Sequence, residues 1–145
     1  MVLLRFLAAV FALSVSSVPA AASTLECKLP VTGAGGGYIT GLYYVQHEEG
    51  SAEAIVSDEV IMYYNDEQPI TARVSDDTDA KLVLTWNIQM TNSGQMTKMQ
   101  YRAAWFRKSG LLTIRAKPGG YSNSFEGRGT CRALPEDRSK AAGRP

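Results

Sequence analysis

Residues 81–117 read KLVLTWNIQMTNSGQMTKMQYRAAWFRKSGLLTIRAK, and their alternation decides the fold. Leu82, Leu84, Trp86, Ile88 and Met90 fall on one face of a period-two segment, and Met99, Tyr101, Ala103 and Trp105 on one face of the next. Successive side chains of a strand point to opposite faces, so this spacing predicts two half-buried strands and not a helix. A reversal about Ser93-Gly94 sets Ile88 opposite Met99, Trp86 opposite Tyr101, Leu84 opposite Ala103 and Leu82 opposite Trp105. One register therefore aligns both apolar faces, whereas a slip by one residue would expose one of them. Ser109-Gly110, read as a two-residue hairpin connection, adds a third strand with Trp105 opposite Ile114 and Ala103 opposite Ala116.

Working outward, the same period and the recurring turn residues predict strands over 38–45, 54–64, 70–74, 81–90, 97–107, 111–117 and 125–131. No segment carries a helical period. The expected fold is all-β, a small antiparallel meander closing into a barrel of 7–8 strands, with a β-sandwich as the alternative. Gly33-Ala34-Gly35-Gly36-Gly37 reads as a flexible linker, and residues 134–145 as a disordered tail after a single domain over 24–133.

Residues 1–23 read as a signal peptide: Arg5, an apolar run over 6–15, then small residues ending Ala20-Ala21-Ala22-Ser23. The run is too short for the roughly 20 residues that span a bilayer. Thr24-Leu25-Glu26 before Cys27 lack the small residues of a lipobox, so acylation of Cys27 is not expected. In an exported chain whose only cysteines are Cys27 and Cys131, the two are expected to pair, and closing a barrel would bring them together at its seam. The location implied is periplasmic or secreted.

Charge is nearly balanced overall but polarised along the chain. Residues 24–80 hold eleven acidic and two basic residues, and residues 81–145 hold twelve basic and three acidic ones. On the face opposite the tryptophans the register gathers Lys81, Lys98, Arg102, Arg115 and Lys117 around Phe106, with Arg102 between Thr85 and Lys117. Such a face suits an anionic partner, whether an envelope protein, a lipid headgroup or a glycan. A near-neutral exported chain is not expected to bind nucleic acid.

No motif for chemistry passes its own geometric requirements. The glycine stretch is followed by Tyr38 and not by Gly-Lys-Ser/Thr, so no phosphate loop or nucleotide cofactor is expected. His47, in a segment that reads as a surface loop, lacks the second histidine of a zinc site. Asp76, Asp77 and Asp79 lack the spacing of a calcium loop and read as an exposed acidic turn. Glu48, Glu49, Glu53, Asp58 and Glu59 have nothing to fix the separation that a glycosidase pair needs. The expectation is a non-enzymatic binding module without metal or cofactor. An aromatic inner face also admits a second reading, a lipocalin-like carrier of a small apolar ligand.

Cys27, Trp86, Tyr101 and the late Gly127-Arg128-Gly129-Thr130-Cys131 give a resemblance across the whole domain. The chain resembles small exported, disulfide-closed β-barrel proteins of Gram-negative bacteria, which implies a periplasmic location. More remotely it is similar to the periplasmic inhibitors of C-type lysozyme, which would imply a loop inserted into the lysozyme cleft. Their Ser-Gly-x-x-Tyr element is missing: Ser93-Gly94 runs into Gln95-Met96-Thr97, and Ser109-Gly110 into Leu111-Leu112-Thr113.

Overall fold

The computed structural model describes residues 14–17, 21–30 and 36–135. Eight antiparallel strands follow in chain order: β1 (Ala22–Lys28), β2 (Leu42–Glu48), β3 (Glu53–Ser57), β4 (Ile70–Asp77), β5 (Lys81–Asn92), β6 (Gln95–Phe106), β7 (Leu111–Pro118) and β8 (Phe125–Ala133). Each pairs with the next, and β1 pairs with β8, so the sheet closes into a barrel. Closure satisfies the two edges that an open meander would leave with unpaired backbone groups.

The β5–β6 register is the expected one at every pair, from Leu82 opposite Trp105 to Ile88 opposite Met99. Ser93 and Gly94 both take positive φ, 51° and 77°, the conformation that matches a two-residue hairpin to strand twist. The next hairpin differs from the expectation. Its loop is four residues long, 107–110, and Trp105 lies opposite Leu112, Ala103 opposite Ile114 and Arg102 opposite Arg115. A two-residue shift keeps every side chain on its own face, so alternation cannot detect it. Arg107 decides it, since its guanidinium leaves the strand to bind Asp77 and the Thr78 carbonyl.

Three other expectations are corrected. The stretch 54–64 is not one strand: β3 stops at Ser57, and a short helix, α1 (Glu59–Tyr64), follows. Asp58 caps it, accepting from the Ile61 amide at 2.7 Å. Six residues rich in β-branched and aromatic side chains are too few to show a 3.6-residue period. The first strand is β1, which takes Ala22 and Ser23 from the stretch assigned to the leader, and 38–41 leads into β2 instead of belonging to it. His47 is no loop residue, because it sits in β2 with its side chain inward and is 5% exposed. Most of the proposed leader, Gly33 to Gly35 of the linker and residues 136–145 of the tail lie outside the described residues; Leu134 is tied to β1 by its amide on the Thr24 carbonyl at 2.8 Å.

Cys27 and Cys131 face each other directly across the β1–β8 seam and are disulfide-bonded, closing a sequence separation of 104. The bond marks an oxidising compartment. Among the described helices none is long and apolar enough to cross a membrane.

Inside, Trp86 stacks on Tyr101 at 5.2 Å, and alternate residues of all the strands fill the barrel. One end is closed by Leu29, Ile39 and the buried Val60 and Ile61 of α1. Asp58 is drawn into that closure, accepting from Thr40 Oγ1 at 2.7 Å. Burial pushes its carboxyl above the ordinary 3.8. A carboxyl raised on folding holds its proton longer than it does in the unfolded chain, so stability falls as pH rises from about 3.8 to the raised value, then stays level. Asp58→Asn keeps a competent cap and removes this slope. Urea titrations across that window should show a flatter profile for Asp58→Asn than for wild type, and parallel profiles would count against the assignment.

Candidate binding face

Because ring order follows chain order, charge polarised along the sequence becomes charge polarised in space. β1–β3 and α1 bear Glu26, Glu48, Glu53 and Glu59, while most of the lysines and arginines lie on β5–β8 and their connections. Ion pairs form where the two halves meet. At the seam Arg132 binds Glu26 at 3.0 Å, and at the β4–β5 junction Lys81 lies 3.5 Å from Asp76 and Arg107 pairs with Asp77. The hydrogen bond from Arg132 holds the Glu26 carboxyl below its ordinary range.

Between these boundaries the outer face presents a transverse row that the register fixes. Glu53 on β3 lies opposite Arg73 on β4, which faces Thr85, then Arg102, Arg115 and Glu126 on successive strands. Adjacent strands are about 4.8 Å apart, so Arg102 and Arg115 are immediate neighbours and Arg73 stands roughly 10 Å away. One step along the barrel axis, Lys117 faces Gln100, and a further step places Lys98 beside Gln89. Phe106 lies opposite Lys81 and is 37% exposed.

All six expected residues thus lie on one outer face, but they are not equivalent. Lys81 is engaged by Asp76, and Arg115 by Glu126 at 3.3 Å and Ser124 at 3.3 Å. Among the described residues Arg73, Lys98, Arg102 and Lys117 have no carboxylate within ion-pair distance. Arg73 was missed. Its outward position on β4 was readable, but its place in the row depends on the β4–β5 register, which a bulge between Val74 and Asp76 shifts. The neighbour of Arg102 is also corrected, from Lys117 to Arg115, for the reason given for the four-residue loop.

At the far end His47, Asp77 and Arg107 converge from β2, β4 and the β6–β7 loop. His47 Nε2 lies 3.5 Å from an Asp77 oxygen, and the Arg107 guanidinium sits 5.3 Å from the Trp105 ring centre. The expected exposed acidic turn is therefore partly drawn in, since Asp77 also accepts from the Gly50 amide. This cluster ties three connections together. Among the described residues no group of three potential metal ligands occurs.

The barrel interior retains a void of about 20 Å³, lined by Tyr43, Trp86 and Trp105 among others. That is room for about one water, against the ~300 Å³ at which ligand pockets begin. Among the described residues this void is far smaller than such a pocket. No family model, curated protein or solved structure matches the chain.

Proposed function

We propose that the chain is an exported, non-enzymatic binding module of the cell envelope that recognises an anionic partner through the outer face of β4–β7. The observation that carries this reading is the Arg73–Arg102–Arg115 row with Lys98 and Lys117 beside it. Two guanidiniums directly opposed cost sheet stability, and since Arg115 is met by Glu126, it is the planar donor forks of Arg73 and Arg102 that carboxylate or phosphate groups from outside would complement. The cations are spread over a sheet face and lack a pocket, which favours a surface of repeated anionic groups over a single small anion. The leader read from the sequence and the disulfide support a periplasmic location.

The test compares wild type with Arg102→Glu combined with Lys117→Glu. Wild type should bind phosphatidylglycerol vesicles in a salt-sensitive manner and leave phosphatidylcholine vesicles alone. The double variant should lose at least tenfold in affinity and release partners captured from envelope extract. Its thermal midpoint should not fall, because the carboxylate placed opposite Arg115 replaces a repulsion with an ion pair. Equal binding by wild type and variant, or retention of the same captured partners, would overturn the reading.

A further inference from the structure

The β5–β6 hairpin projects past the barrel, and its inward face changes character as it goes. Ile88, Met90 and Met99 are buried and apolar, but the next positions of the same face are Asn92, Gln95 and Thr97. An inward face turning to amides and a hydroxyl forms one wall of a cleft of about 280 Å³. The opposite wall is the β7–β8 loop, which brings Tyr121, Asn123 and the first residue of β8, Phe125.

Both walls are held in place before any ligand arrives. The hairpin is paired out to Asn92 and Gln95. The loop turns at Gly119 and Gly120, the latter at φ +83°, and is pinned by the Gly119 amide on the Lys98 carbonyl at 2.8 Å. Tyr38 closes the base, its ring 4.9 Å from that of Phe125 and its carbonyl accepting from the Tyr101 hydroxyl at 2.8 Å. Neighbouring polar side chains are already engaged, Gln89 with Met96 and Ser124 with Arg115. Asn92, Gln95, Thr97 and Asn123 have no side-chain hydrogen bond to another described residue.

The lining holds no charged residue. Its chemistry combines a methionine floor, flat aromatic walls, and amides that both donate and accept. We infer that this cleft binds a neutral sugar bearing an acetamido group: the apolar floor takes the methyl, the rings take the C–H face of the sugar, and the amides take the hydroxyls and the acetamido N–H and C=O. A charged ligand would find no counter-charge in this lining, and a purely apolar one would leave the amides desolvated and unpaired. The volume of about 280 Å³ suits a small sugar and lies just under the ~300 Å³ at which ligand pockets begin. This site does not depend on the basic face, and the two can fail separately.

The experiment is an NMR titration of the full chain with N-acetylglucosamine and its β1,4-linked disaccharide, with glucose and cellobiose as comparators. The acetamido sugars should give saturable shifts at the Asn92, Gln95 and Asn123 side-chain amides, unaffected by added salt. Tyr121→Ala with Asn123→Ala, both at exposed loop positions, should weaken that binding at least tenfold while the Trp86 indole resonance of the core stays in place. Arg102→Glu with Lys117→Glu should leave it unchanged. Absence of saturable shifts, shifts located elsewhere, equal binding of cellobiose, or full binding by the loop variant would each overturn the inference.

Discussion

Replacing both Cys27 and Cys131 with alanine is expected to lower the thermal midpoint by roughly 20 °C. A cross-link closing about 100 residues removes about 4.7 kcal/mol of unfolded-chain entropy at 25 °C, and each kcal/mol moves the midpoint of a domain this size by about 4 °C. The position of the bond adds to the effect. It joins the first and last strands, the pairing with the largest sequence separation, whose closure entropy the ladder alone must otherwise overcome. Cys27 is fully buried, so reductant should act slowly on the folded wild type, and the double variant gives the equilibrium answer. Hydrogen exchange should show the seam amides of β1 and β8 opening first in that variant. A fall of less than about 5 °C would mean that the ladder and the Glu26–Arg132 pair hold the seam without the bond.

Gly129→Ala is expected to cost about 3 kcal/mol or more, at the upper end of overpacking penalties, without touching the disulfide. A Cβ at Gly129 would overlap the Lys28 carbonyl oxygen and come within 2.8 Å of Leu29 Cγ and 2.9 Å of Leu29 Cα. These are mostly backbone atoms of the point where the chain leaves β1 and folds across β8, and they have nowhere to go. Gly127→Ala is the comparison, since its Cβ would meet Ile39 Cγ2 at 2.9 Å and Leu29 Cδ2 at 3.2 Å, both side-chain ends that can shift. It should cost about 1 kcal/mol. Urea denaturation of the two variants checks the ordering, and a Gly129→Ala as mild as Gly127→Ala would remove the seam notch from the account.

The late Gly-x-Gly-x-Cys run thereby acquires a physical meaning. Its three residues lie on the inward face of β8, two of them as notches for Leu29 and Ile39 and the third as the clamp. In the sequence the run served only as a resemblance, because nothing local says what would fill the space of the absent side chains. The β5–β6 pairing was legible in full, since two long apolar alternations admit one register. The β6–β7 pairing was legible only to within two residues. The helix at Glu59–Tyr64 and the strand at Ala22–Lys28 were not legible: one is too short for its period, the other shares its first residues with a leader-like stretch.

The candidate sites divide in the same way. Lys98, Arg102, Arg115, Lys117 and Phe106 were placed outward by alternation alone, but Arg73 joined them only through a bulged register. The cleft at the hairpin tip was invisible, because it is lined by parts of the chain remote in sequence, 90–99, 118–125 and Tyr38.

By itself the sequence determined the fold class, the inward and outward faces of the central strands and the pairing of its two cysteines. Period-two alternation and a unique cysteine pair are one-dimensional signals, and burial of the apolar face enforces them wherever the chain folds. Only the tertiary structure decided closure into eight strands, which cations stand free of carboxylates, how little space the core leaves, and where a cleft opens. Those depend on distances between residues remote in sequence, which are set when loops close and side chains compete for the same volume.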